Sequence, residues 1–130
     1  MTGEVLIDTS VLIDHLRSKD KSNTFLIRVL ESSTYAYISV LTLAELYSGK
    51  SVWEKEEVRK EVEQLVSQLN RLGISESISR FSGYLNAKFN LPLVDALIAA
   101  TCYEHKLTLA TLDHDLLNKE LGIPLLKIIE

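Results

Sequence analysis

The chain has 130 residues, of which 46% are hydrophobic and 25% are charged, and its formal net charge is −4. This composition excludes an intrinsically disordered chain, and the length suits a single domain, 1–130, whose core needs no disulfide. The negative charge argues against a broad basic face for nucleic acid. The only cysteine is Cys102, the N-terminus lacks a signal peptide, and the longest apolar run, 91–103, is too short to span a membrane. We therefore expect a cytoplasmic protein.

The predicted strands are short apolar runs rich in branched and aromatic side chains. They cover residues 4–7, 35–38, 107–110 and 125–129, with a further short strand at 74–76. Several of these runs are wholly apolar, which is typical of strands that are covered on both faces.

Helices are predicted between the strands from the spacing of apolar residues and from capping residues. They run from Thr9 or Ser10 to about 17, and over about 24–31, 39–47, 51–72, 77–89, 93–105 and 113–119. Ser39 and Ser77 are expected N-caps. Strands that alternate with helices predict an α/β fold with a parallel sheet of four or five strands and helices on both faces. Ligands bind such sheets at the carboxyl ends of the strands.

Three carboxylates stand alone in apolar segments. Asp8 directly follows the first strand, Glu45 is the only charge between 35 and 49, and Asp95 is the only charge between 91 and 103. A charge in a half-buried element is unfavourable unless it is compensated. Each acid could pair with its own basic residue from elsewhere in the fold, or all three could converge on one cation. Convergence is the more economical solution, and a hard ion such as Mg²⁺ or Mn²⁺ takes carboxylate oxygens while keeping waters for a phosphate.

A fourth acid, Asp113, follows the strand at 107–110 and should lie on the same edge of the sheet as Asp8. Asp113 is also a candidate helix N-cap, and capping is compatible with metal binding. The three histidines, His15, His105 and His114, have no paired ligand spacing and no cysteine pair beside them, so a zinc site is not indicated.

These four acids lie in segments that resemble the four motifs of PIN domains. The segments are 7–14, 43–46, 93–100 and 111–116. Their order and spacing, and the total length of the chain, are similar to those of the VapC toxins of prokaryotic toxin–antitoxin pairs. The resemblance covers essentially the whole chain.

The resemblance implies a PIN-like three-layer α/β sandwich and metal-dependent cleavage of RNA. The family's metal-binding and catalytic acids map onto Asp8, Glu45, Asp95 and Asp113. Supporting hydroxyl groups map onto Thr9, Ser10 and Thr111, and Asp115 is a further acid. Two departures are Asp113, where many members have asparagine, and Leu116 with Leu117, where many have an aromatic residue. Neither departure removes a ligand.

The implied reaction is attack on phosphorus by a water activated by Mg²⁺ or Mn²⁺. Asp8, Asp95 and Asp113 would hold the principal ion, and Glu45 would bind a second ion or orient the water. Two divalent ions would offset the net charge of −4. Basic residues near the motifs are candidates for phosphate contacts: Arg17, Lys19, Arg80 and Lys88.

The expected partners are RNA, a cognate antitoxin and a second copy of the chain, because the helices around 26–30 and 41–47 offer more apolar surface than a small domain needs. The alternatives are a PIN-type nuclease of RNA or DNA processing and a PIN fold that binds without catalysis. A receiver-type signalling module would need an acidic pair after the first strand and a lysine after a later strand. Here Asp8 is followed by Thr9, and 108–111 contains no lysine.

Overall fold

A parallel sheet forms the centre of the structure. The computed structural model describes residues 2–117 and 121–125. Within these ranges the strands are β1 (Thr2–Ile7), β2 (Ser33–Ser39), β3 (Asn70–Leu72) and β4 (Thr108–Ala110). They lie in the order β3-β2-β1-β4, and each neighbouring pair is parallel. The predicted α/β fold with a parallel sheet is confirmed.

Helices cover both faces of this sheet. Over the same ranges they are α1 (Thr9–Arg17), α2 (Phe25–Ser32), α3 (Val40–Leu46), α4 (Lys50–Glu54), α5 (Glu56–Val66), α6 (Glu76–Phe89) and α7 (Leu93–His105). Successive side chains of a strand point to opposite faces. Val5 and Ile7 therefore pack in a core with residues of α1 to α5, whereas Leu6 packs in a second core with residues of α6 and α7. The two cores on either side of one sheet make the predicted three-layer sandwich.

The single helix predicted over 51–72 is wrong. Lys55 has an extended backbone, with φ −121° and ψ 114°, so α4 ends before α5 begins. The N–H of Leu69 then bonds to the carbonyl of Val66 in a turn, and the chain continues as β3 along the edge of β2. Apolar spacing of three and four residues runs on to Leu72, but pairing with β2 overrides it.

The start of α6 also differs from the prediction. Its N-cap is Ser75, whose Oγ accepts the N–H of Ile78 at 3.1 Å. The predicted cap, Ser77, donates its hydroxyl to the carboxylate of Glu104 instead. Residues 73–75 therefore lead into the helix, and the short strand predicted at 74–76 is wrong, since that strand is β3 at 70–72.

The chain after β4 turns rather than forming the helix predicted over 113–119. Residues 114–117 are turns, and the rest of that predicted helix lies outside the described residues. Leu125 makes a parallel bridge to Leu109, while 126–129 of the predicted last strand also lie outside them. No helix in the described part of the chain is long and apolar enough to cross a membrane.

Candidate active site

The order of the strands changes direction at β1: β2 and β3 lie on one side of it, and β4 lies on the other. In open α/β sheets, the crevice at such a reversal, beyond the carboxyl ends of the strands, is where ligands bind. Asp8 directly follows β1, and Thr111 directly follows β4. The Asp8 N–H donates to the carbonyl of Ala110 at 2.9 Å, which keeps the two strand ends side by side.

Asp8 occupies the N-cap position of α1 but does not cap the helix with its side chain. Its Oδ2 instead accepts hydrogen bonds from the hydroxyls of Ser10 and Thr111, each at 2.8 Å. Asp8 is only 5% exposed. Two hydroxyl donors therefore stabilise a carboxylate that has little contact with water, and they leave Oδ1 available for another ligand.

The same hydroxyls hold the loop that follows β4. Ser10 Oγ accepts the N–H of Leu112 at 3.0 Å, and Thr111 Oγ1 accepts the N–H of Asp113 at 2.9 Å. Each oxygen accepts a backbone proton and donates its own proton to Asp8. The loop carrying Asp113 is thus fixed to the end of β1 by residues about a hundred positions apart.

Glu45 reaches the same crevice from α3. That helix begins directly after β2 because Ser39 caps it, with Ser39 Oγ accepting the N–H of Leu41 at 3.0 Å. The hydroxyl of Thr9 donates to Glu45 Oε1 at 2.6 Å, which joins α3 to the start of α1. Glu45 is the only charged residue of α3, as predicted, but its side chain is exposed, so the expectation that its charge is half-buried is wrong.

Asp95, Asp113 and Asp115 form a compact group of carboxylates. Asp95 lies in the first turn of α7. One carboxylate oxygen from each of the three lies within 4.8 Å of the others, a spacing that could hold a metal ion. Asp95 and Asp113 are partly buried, and Asp115 is exposed. The N–H of Asp115 donates to Asp113 Oδ1 at 2.8 Å, which orients the Asp113 side chain.

The electrostatics of Asp95 connect this group to the other two acids. Burial, followed by the negative charges of Asp113, Asp8, Asp115 and Glu45, raises the pKa of Asp95 to about 7. The other four carboxylates are therefore close enough to act on the charge of Asp95. Without a cation, Asp95 holds a proton for much of the time near neutral pH.

This donor set fits a hard divalent cation. The available atoms are carboxylate and hydroxyl oxygens, which are the ligands that Mg²⁺ and Mn²⁺ prefer. The raised pKa of Asp95 points the same way, because a cation would favour the ionised carboxylate that burial and the neighbouring acids disfavour. The structure thus brings together all four predicted acids, the three supporting hydroxyl residues and Asp115.

The family profile described as the PIN domain matches residues 5–120, which is most of the chain. The chain belongs to the PIN domain family. A search of curated proteins found no match.

Solved structures show the same PIN fold. A chain in a toxin–antitoxin complex from Klebsiella pneumoniae is 29% identical with a TM-score of 0.70, over 84% of this chain and 86% of that one. A chain in DNA-bound VapBC from Salmonella typhimurium is 21% identical with a TM-score of 0.77, over 94% and 96%. FitAcB from Neisseria gonorrhoeae is 22% identical with a TM-score of 0.75, over 95% and 96%.

The basic residues predicted to contact phosphate lie in different surroundings on this PIN domain. Arg17 lines a cavity that Glu45 also lines, and Lys19 is exposed in the following loop. Arg80 is paired with Glu76 at 2.7 Å, and the Lys88 ammonium lies over aromatic rings of α6. Of the four candidates, Arg17 is the one that shares a described cavity with a predicted acid.

The sequence prediction missed one residue of this PIN domain site. Thr42 is completely buried in α3, and its Oγ1 lies 3.1 Å from the Oγ1 of Thr9. Its spacing of three residues from Glu45 puts both side chains on one face of the helix, and that spacing was the available signal.

Proposed function

We propose that this PIN domain is a Mg²⁺- or Mn²⁺-dependent endoribonuclease and the toxin of a VapBC-like toxin–antitoxin pair. PIN nucleases are hydrolases that act on nucleic acids. The observation that carries the proposal is the group of Asp95, Asp113 and Asp115, whose carboxylate oxygens lie within 4.8 Å of one another. Asp8 and Glu45 support it, because their charges add to the burial that raises the pKa of Asp95. Similarity of the four acidic segments to VapC toxins supports RNA as the substrate.

The proposed roles follow from the contacts of each acid. Asp8, Asp95 and Asp113 would hold the principal cation, with Asp8 Oδ2 kept in place by Ser10 and Thr111. Asp115 would offer a further oxygen beside Asp95 and Asp113. A divalent cation bound there would neutralise phosphate charge, lower the pKa of a water and stabilise the departing oxygen. Glu45 keeps Oε1 on Thr9 and presents its other oxygen to a second cation or to the attacking water.

The reaction requires no nucleophilic side chain. A water attacks phosphorus, and one phosphorus–oxygen ester bond of the RNA breaks. The hydroxyls of Ser10, Thr111 and Thr9 hold the carboxylates in position, so little reorganisation is needed when the substrate arrives.

The test is cleavage of a single-stranded RNA with Mg²⁺ or Mn²⁺, and again with a chelator. We expect Asp8→Asn and Asp95→Asn each to lower kcat by more than about 100-fold, since they remove metal ligands and even outer contacts to ligands cost 10-fold to 100-fold. Asp14→Asn is the matched control, because Asp14 is an exposed acid of α1 outside the crevice contacts described above. Cleavage by both variants at the wild-type rate would refute the proposal.

The toxin role adds a protein partner. The Klebsiella, Salmonella and other similar structures are toxin–antitoxin complexes. On this chain the apolar surface predicted around 26–30 contributes Leu26, Ile27 and Leu30 to a cavity of about 280 Å³ between α1, α2 and α5. We assign this cavity to the antitoxin, and the exposed Val40 of α3 and Trp53 of α4 to a homodimer contact.

Co-expression separates a toxin from a housekeeping PIN nuclease. A toxin should arrest growth when expressed alone, and the product of a small reading frame beside its gene should relieve the arrest and co-purify with it. A housekeeping nuclease should be tolerated alone. Light scattering of the purified chain gives the oligomeric state.

A further inference from the structure

Thr42 is a buried hydroxyl residue to which the proposed reaction assigns no role. Its side chain is 0% exposed, and its Oγ1 lies 3.1 Å from that of Thr9, which is itself 6% exposed. A buried hydroxyl is unfavourable unless it finds a hydrogen-bond partner. Thr9 provides that partner, and Thr9 is also the residue that contacts Glu45.

The proton count decides the direction of these hydrogen bonds. Heavy-atom geometry makes the Thr9 hydroxyl the donor to both Glu45 Oε1, at 2.6 Å, and Thr42 Oγ1, at 3.1 Å, but this hydroxyl has only one proton. A carboxylate is the stronger acceptor, and the shorter contact has the length of a charge-assisted hydrogen bond. The Thr9 proton therefore belongs to Glu45, and the contact with Thr42 must use the proton of Thr42.

We propose that Thr42 is a positioning residue, which directs the Thr9 hydroxyl toward Glu45 and so fixes that carboxylate for the cation or the attacking water. This inference rests on the proposed function. It explains why an exposed glutamate on α3 has a defined orientation, since the chain Thr42, Thr9, Glu45 runs from the protein interior to the crevice.

Glu45 needs such help more than the other acids do. Asp8 has a short side chain with two hydroxyl donors, whereas Glu45 has a longer and more flexible side chain that faces water. Fixing a flexible side chain before the ligand arrives lowers the entropic cost of binding. Loss of the Thr42 proton should leave Glu45 in place on α3 but with more freedom.

The experiment removes the hydroxyl of Thr42 without changing its shape. Thr42→Val should weaken Mn²⁺ binding to the RNA-free protein and lower kcat, each by about 10-fold, with KM unchanged within about twofold. Thr42→Ser keeps the hydroxyl and should restore both values to within about twofold of wild type. If Thr42→Val does not fold, Thr42→Ala removes the same hydroxyl with less crowding.

A matched control separates this effect from the loss of any buried hydroxyl. Thr101 is also 0% exposed, and its hydroxyl donates to the carbonyl of Leu97 at 2.7 Å within α7. Thr101→Val should therefore leave Mn²⁺ affinity and kcat within about twofold of wild type. Equal losses in Thr42→Val and Thr101→Val would overturn the inference.

A double variant tests whether Thr42 acts through Glu45: Thr42→Val is introduced into a protein that already carries Glu45→Gln. In that background Thr42→Val should have almost no further effect, because residues that act along one chain of contacts are not additive. An undiminished effect there, or no effect in the wild-type background, would overturn the positioning role. If Asp8→Asn abolishes cleavage while Thr42→Val does not change it, only this inference fails. If the wild type cleaves no RNA, the Mn²⁺ affinities still test Thr42.

Discussion

The acidic crevice has two sides. The strand side is Asp8, directly after β1. The helix side is Asp95 in α7, together with Asp113 and Asp115 in the loop after β4. Asp8 is almost fully buried, yet two hydroxyls donate to its Oδ2. Asp95 is less buried, but among residues 2–117 and 121–125 no donor hydrogen-bonds to its carboxylate, and its neighbours are acids. The strand side is therefore prepared for a negative charge before any ligand arrives.

This difference in charge compensation shows how one site can be both stably folded and able to bind a cation. Hydrogen-bond donors compensate the charge that lies deepest, which keeps the ends of β1 and β4 together. The other charges lie on α7 and in the loop that follows β4, where burial and the neighbouring negative charges raise the pKa of Asp95 to about 7. A cation bound there would favour the ionised form of Asp95.

The largest expected effect concerns the helix side. Asp95→Asn should weaken Mn²⁺ binding in the absence of RNA by more than about 100-fold, because it removes the carboxylate at the centre of the repelling group. Isothermal titration calorimetry measures the affinity, with Asp14→Asn as the control. Affinity within about threefold of wild type would mean that the helix side does not hold the ion.

A smaller effect is expected on the strand side. Ser10→Ala and Thr111→Val each remove one donor to Asp8 Oδ2 and one acceptor for the backbone of the following loop. We expect each to lower kcat by about 10-fold to 100-fold through a misplaced Asp8. Kinetics over a range of substrate concentrations separate kcat from KM. Unchanged kcat in both variants would show that Asp8 needs no hydroxyl support.

The smallest expected effect is a pH dependence of stability. Since the folded-state pKa of Asp95 is about 7 and its ordinary value is 3.8, the folded state binds a proton between these values that the unfolded state has lost. Ionisation of Asp95 therefore destabilises the metal-free protein progressively as pH rises from about 4 to about 7, and fully above that range. Below about 4 this group has no effect.

Asp95→Asn removes this pH dependence. Relative to wild type, the variant should gain roughly 1–2 kcal/mol of unfolding free energy between pH 5 and pH 8, a figure lowered to allow for solvent screening at a partly exposed group. Urea unfolding with a chelator, at both pH values, measures the difference. A constant difference between the two proteins would contradict the raised pKa of Asp95.

The order of strands and helices could be predicted from sequence wherever the local pattern and the final contacts agree. β1, α1 and α7 lie close to their predicted bounds, because apolar runs, capping residues and buried faces are local properties. The region after Val66 could not be predicted in this way. Its helical spacing continues into a segment that pairs with β2 as β3, and pairing with a distant strand leaves no local signal.

The residue pattern identifies the side chains that could take part in the site. It placed Asp8 after a strand, isolated Glu45 and Asp95 in apolar segments, and set Asp113 after a second strand. The hydroxyl groups that compensate their charges are known only from the tertiary structure. The donor Thr111 lies 103 positions from Asp8, and Thr9 lies 36 positions from Glu45. Hydrogen bonds depend on distances and directions that folding creates, so residue spacing along the chain does not encode them.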